Sequence, residues 1–129
     1  MGASRKSVDP EVLDALARLE HDGRAGFVAR IIFLFLDNAQ ALIGEIKAAA
    51  AAHELSKVRQ ASHELRSSSA AVGGVRLAEL CNQLAGMARA GSVPGLAGRI
   101  EVIEQEYFQA EAILMERLGQ ERARDQGLR

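Results

Sequence analysis

One cysteine, Cys81, in 129 residues excludes an internal disulfide framework and any metal site built from paired cysteines, and it fits a reducing, cytosolic setting. Histidine is scarce too. The copies at His21, His53 and His63 include no pair spaced by three or four, so the helical zinc arrangement is missing. Charge of one sign is also lacking: 16 basic against 17 acidic residues leave a formal net charge of -1, which gives no field for capturing nucleic acid or an anionic membrane surface. The most apolar run, FVARIIFLFLDNAQALIGEI, is interrupted by Arg30, Asp37 and Asn38 and falls short of the ~18 to 20 unbroken apolar residues of a membrane span, so it reads as a buried helix. The opening MGASRKSVDP has two basic residues with no apolar stretch behind them, which argues against a signal peptide. A phosphate-cradling loop is absent as well, because VGGVR follows a helical pattern rather than a strand and lacks the lysine and serine such loops require.

What remains is an ordinary globular composition, 48% hydrophobic and 26% charged, in a chain long enough for one core. Apolar residues recur at three and four, and strand-like alternation is missing, so the chain reads as all-α. Asp9 followed by Pro10 opens a short helix with the stripe Val12, Leu13, Leu16 and Leu19, which EHDGRAG breaks. A second helix over about 26–50 turns Phe27, Ile31, Phe35, Leu42, Ile43 and Ile46 inward, with Gly44 costing it roughly 1 kcal/mol. A third, about 54–72, carries Leu55, Val58, Ser62, Leu65, Ser69 and Val72, the two serines suggesting close approach to a neighbour; Gly73 and Gly74 end it. The fourth bears Leu77, Leu80, Cys81, Leu84 and Met87 and stops at AGSVPG. The last begins near Leu96, with Ile100, Ile103, Tyr107, Ala110, Leu114 and Leu118 as its stripe. Short connections favour an antiparallel up-and-down four-helix bundle with the short N-terminal helix as a lid. Residues 1–8 are expected to be a disordered leader, 9–118 the domain, and 119–129 a fraying charged tail.

At about 100° per residue, Ser56, Arg59, Gln60, Arg66, Ser67 and Ala70 lie near the azimuth of His63, and none is a large hydrophobe. His63 is therefore expected on a solvent-accessible face. An exposed imidazole offers a neutral nitrogen nucleophile over much of the physiological range. Arg59 and Arg66, four before and three after it, could bind phosphoryl oxygens through their forks of donors, while Ser67, Ser69 and Ala70 leave room for a bulky partner. On composition alone, a helical histidine between arginines would be an ordinary solvated residue. The extended pattern changes that weighting.

His63, Leu65, a cation at Arg66, Ser68, Gly73, Leu77, Leu80, Cys81 and Leu84 together resemble the signature of histidine-containing phosphotransfer (HPt) domains. That family reads His, any residue, Leu, Lys, Gly, Ser and a small residue, then a glycine ten after the histidine and a Leu/Leu/Cys/Leu stripe. This chain departs from it with Arg66 for lysine, Ser67 for glycine and Ala85 for the acidic residue after the last leucine. The resemblance implies a four-helix bundle that shuttles a phosphoryl group between receiver-domain aspartates, with a hybrid sensor kinase as a further partner; a bundle complete within one chain is expected to be a monomer, and the cysteine usage places it in the cytoplasm. His63 would attack the aspartyl phosphate and Arg66, with Arg59, would steady the phosphoryl oxygens; Gln60, Ser67, Ala70 and Gly73 would keep access open. No kinase or phosphatase activity and no cofactor of its own is implied, the Mg2+ belonging to the receiver. Ile32, Phe33 and Leu36, part of the excess apolar surface of the second helix, are the expected docking surface for receivers, set against the reading that the first helix simply covers them.

Another class of function stands beside this one: a bundle that binds receivers or other regulators without accepting phosphate, to which Ser67 lends weight. His53 reads as a loop or capping residue, His21 as a turn residue without chemistry, Cys81 as a small core residue, and Glu101, Glu104 and Glu111 as solvated charges on the last helix.

Overall fold

The computed structural model describes residues 7–22 and 26–127. They form α1 (Pro10–Arg18), a single 3-10 turn (Leu19–Asp22), α2 (Phe27–Ala51), α3 (Leu55–Ala71), α4 (Val75–Arg89) and α5 (Leu96–Gly127). α1 starts where Asp9 accepts the Glu11 N–H at 3.0 Å ahead of Pro10. α2 has no side-chain cap of its own from Gly26; the carboxylate of Glu20, in the preceding turn, accepts the Val28 N–H at 2.8 Å. The ends of α2, α3 and α4 share one device. A left-handed residue (His53 at φ 59°, Gly73 at 86°, Gly91 at 73°) lets the next N–H reach back five residues, as Glu54 to Ala49 O and Gly74 to Ser69 O, both 2.8 Å, and Ser92 to Met87 O at 2.9 Å. His53 thus closes α2 where glycine would be unstrained.

α2 packs on α3, α3 on α4, α4 on α5 and α5 back on α2, which closes the four long helices into a bundle. Its interior is filled by Ile32, Ile46, Val58, Leu65, Leu77, Leu84, Ile103, Tyr107 and Leu114, all almost without solvent contact. Each such side chain contributes about 1.5–3 kcal/mol through burial. α1 closes the end of the bundle where α3 hands over to α4: the Asp9 N–H donates to Gly73 O at 2.8 Å, and Asp14 pairs with Arg117 of α5 at 3.2 Å.

Several expectations need correction. Residues 1–6 lie outside the described residues, but Ser7 and Val8 of the supposed leader are buried, and the Ser7 hydroxyl lies 3.4 Å from Gln109 Oε1. The supposed tail does not fray: α5 continues to Gly127, with residues 128–129 outside the described residues. Its second half is held by charge. Glu121, buried, accepts from Arg117 at 2.6 Å and from Arg124, and Arg124 also reaches Glu20 at 3.1 Å, so the end of α5 is tied to the residue that caps α2. Burial works against the Arg117 charge, but hydrogen bonds and proximity to Glu121 and Asp14 outweigh it and hold its pKa above the usual value.

The inward face of α2 also differs from the expected stripe. Phe27 and Ile31 are only half-buried, while Ile32 (0% exposed) and Leu36 (9%) are in the core, so these two offer no docking surface. The reason is geometric. α2 packs on both α3 and α5, which widens its buried arc to include Val28, Ile32, Leu36, Ala39 and Ile43. Phe33 and Leu34 stay half-exposed on the outside. α2 does meet the length and composition of a membrane-crossing helix, with a mean hydropathy of 1.5 over 18 residues, contrary to the reading of its interruptions. Its packing between two neighbours accounts for the buried third of that window, while Phe33 and Leu34 lie outside it.

Candidate functional site

α3 has two unlike faces. Val58, Ala61, Ser62, Leu65 and Ser69 are buried against the bundle, and the small side chains at 61, 62 and 69 let α2 and α4 approach closely. Ser62 satisfies its hydroxyl by donating to Val58 O at 2.7 Å, one turn back, whereas the buried Ser69 Oγ has no hydrogen-bond partner among the described residues. A Cβ on Gly74 would stand 3.6 Å from that of Ser69, which shows how tightly the α3–α4 turn is folded. The opposite face carries Ser56, Arg59, Gln60, His63, Ser67 and Ala70, all exposed. His63 projects from the middle of this ridge into solvent, with no large side chain at its azimuth.

The flanks of the ridge differ in charge. Toward α4, the Arg66 guanidinium donates from Nη1 to Asn82 Oδ1 at 3.1 Å, and Arg59 lies on the same side of the helix. Toward α2, a cleft of about 640 Å³ is floored by Ala48, Ala49 and Ala61 and rimmed by Glu45, Gln60 and Glu64. Such a surface presents a nucleophilic ring between cations on one side and carboxylates on the other. It can admit a bulky anhydride such as an acyl phosphate without moving backbone.

Gly73, expected among the residues around His63, is elsewhere. Ten residues further along α3 it is about 15 Å away along the helix axis, buried, with its φ of 86° and its carbonyl bonded to Asp9. A Cβ there would fall 2.6 Å from Asp9 O. Its task is the seat of α1, not access to the histidine. Asn82 was not singled out by the sequence, because nothing in CNQL distinguishes it; only the α3–α4 crossing brings it to Arg66. Glu106 is a second residue without a sequence signal, a buried carboxylate on α5 paired at 3.3 Å with Arg76 of α4.

The Hpt domain family model matches residues 30–121. The chain belongs to the Hpt family. Hpt domains are phosphotransfer carriers rather than kinases, and this one is accordingly a phosphorelay intermediate. No curated protein matches the chain. Among solved structures, the histidine-containing phosphotransfer protein HptB from Pseudomonas aeruginosa PAO1 is similar in fold, with a TM-score of 0.81 and 22% identity over 88% of this chain and 96% of its own. The histidine-containing phosphotransfer protein ZmHP2 from maize has a TM-score of 0.80 and 26% identity, covering 95% of this chain and 90% of its own.

Two further residues of this Hpt domain have structural positions, His53 at a helix end and Cys81 in the core. His53 closes α2, and the side chain of His21 lies outside the described residues. No three His, Cys, Asp or Glu side chains converge among the described residues. Burial pushes the Cys81 thiol up to about 12. Below that pH it is protonated and enclosed, so iodoacetamide at pH 8 is expected to leave Cys81 unmodified in the folded protein and to alkylate it only in denaturant, as intact mass will show. Rapid labelling of the native protein would contradict the packing of α4.

Proposed function

We propose that His63 accepts a phosphoryl group from the aspartyl phosphate of one receiver domain and passes it to the aspartate of another. The observation that carries this reading is the solvent-exposed His63 at the centre of a ridge of short and polar side chains on α3 of an Hpt bundle. The lone pair of the outer ring nitrogen, Nε2, attacks phosphorus; the bond from phosphorus to the aspartate oxygen breaks, and the carboxylate leaves. The proton on Nδ1 stays on the ring during this step and is then lost to water. Arg66, and Arg59 on the same flank, steady the phosphoryl oxygens, while Gln60, Ser67 and Ala70 leave the approach open. The Mg2+ of the receiver supplies the charge stabilisation at the transfer step, and the Hpt domain adds no metal of its own. It works as a monomer in the cytoplasm, with the half-exposed Phe33 and Leu34 on its outer surface as the part of α2 open to a receiver.

The test is transfer itself. After incubation with a phosphorylated receiver and Mg2+, the protein is expected to carry acid-labile phosphate, which peptide mapping at alkaline pH places on the segment containing His63. Adding a second, unphosphorylated receiver should drain it. Absence of protein-bound phosphate with every receiver of the source organism would overturn the proposal.

A further inference from the structure

The hydrogen bond between Arg66 and Asn82 gives the reaction a component on a second helix. We propose that Asn82 is a positioning residue: it fixes the Arg66 guanidinium beside His63, toward the incoming phosphoryl group, without cancelling its charge. The proposal rests on the reading that Arg66 meets the phosphoryl oxygens, and it adds what holds Arg66 there.

Arg66 is exposed on the α4 flank of α3, three residues past His63, where a free arginine would sample many rotamers. Among the described residues one hydrogen bond restrains it, from Nη1 to Asn82 Oδ1 at 3.1 Å across the α3–α4 interface. A guanidinium only donates, so the carbonyl oxygen of the amide must face it, and the orientation of Asn82 follows from the chemistry. One N–H is used and the other four stay available for phosphoryl oxygens. The residue type matters as much as the contact. A carboxylate at this position would pin the arginine more strongly, but the pair would be neutral. An amide orients the cation and leaves its full charge to act outward.

That charge has work to do because the other side of His63 is acidic. Glu64 on α3 and Glu45 on α2 rim the cleft beside it, with Glu54 and Lys57 paired at 3.3 Å further along. Arg59 and Arg66 are the cations that α3 places on this flank; α4 contributes the neutral Asn82 opposite Arg66, with the exposed Glu79 one turn before it and the exposed Arg89 two turns after it. A phosphoryl group on His63 therefore sits between carboxylates and the restrained arginine.

The experiment needs no receiver. The full chain is phosphorylated with phosphoramidate, and the 31P signal of phospho-His63, identified as the one missing from H63Q, is titrated with pH. Phosphohistidine is acid-labile, so the ionisation read near neutrality is loss of the ring Nδ1 proton of phospho-His63; a guanidinium held beside the ring and its phosphoryl group disfavours the protonated, cationic ring and lowers that pKa. In R66A that pKa is expected to rise by about half a unit, the size expected of one charge a few ångströms away in water. N82A is expected to recover most of that rise although it removes no charge, and N82A/R66A to add nothing to R66A alone. Both sites are exposed, so thermal melts should stay close to wild type. If R66A moves the titration and N82A does not, Arg66 needs no support from Asn82 and the proposal is wrong. If neither moves it, Arg66 does not meet the phosphoryl group and the proposal falls with that role, whereas His63 as acceptor stands or falls separately on transfer from a receiver.

Discussion

Replacing His63 with glutamine is expected to reduce protein-bound phosphate to the level of a reaction without the Hpt domain, while leaving the melting temperature unchanged. Both halves follow from where the ring stands. Glutamine keeps polarity and much of the volume but has no ring nitrogen with a free lone pair, so no bond to phosphorus can form. His63 is exposed, and surface substitutions away from special features usually change stability by less than about 0.5 kcal/mol. A parallel His53→Gln exchange should leave labelling intact, since His53 stands at the end of α2 with a backbone role. Phosphate retained on His63→Gln, or lost from His53→Gln, would move the accepting site away from the middle of α3.

Gly73→Ala is expected to have the largest effect on stability and little effect on chemistry. The backbone at Gly73 has a φ of 86°, which costs an alanine about 1–2 kcal/mol. The new methyl group would also fall 2.6 Å from Asp9 O and 3.3 Å from Val12 Cβ, and the nearest of these is backbone that cannot swing aside. Relief requires α1 to shift from its seat, a form of overpacking that costs a further ~1–3 kcal/mol. The sum, about 2–5 kcal/mol, corresponds to a fall in Tm of about 7–18 °C for a domain of this size. Gly44→Ala is the contrast. Gly44 lies inside α2 with no atom within 4 Å of the added carbon, and alanine there should gain about 0.5–1 kcal/mol. Urea unfolding of the three proteins measures both, and receiver-dependent labelling of folded Gly73→Ala should stay near wild type because His63 is about 15 Å away. A Gly73→Ala protein as stable as wild type would mean that α1 is not held at this turn.

The elements were legible from local chemistry. Asp9 and Pro10 announce α1, the glycines at 73 and 91 announce the ends of α3 and α4, and the spacing of apolar residues assigns the helices, because caps, left-handed turns and periodicity all act within a few residues of the chain. The ridge around His63 was legible for the same reason, as the faces of one helix follow from spacing of 3.6. Where the reading failed, two helices were involved. Ile32 and Leu36 are core because α2 is enclosed by both α3 and α5, and the apparent surplus of hydrophobic residues on α2 is in part the requirement of having two neighbours. The charged segment after Leu118 looked like a tail because the distant partner of its Arg124, Glu20, is about a hundred residues away in the chain.

By itself, then, the sequence determined an all-helical bundle, the positions of its turns, and one histidine on an open face among small and cationic side chains, since each of these is decided within one helix or one turn. Only the tertiary structure decided that Gly73 seats α1, that Asn82 restrains Arg66, and that the end of α5 ties down the cap of α2. Those contacts join groups from different helices, and no periodicity records the angle and register at which two helices meet.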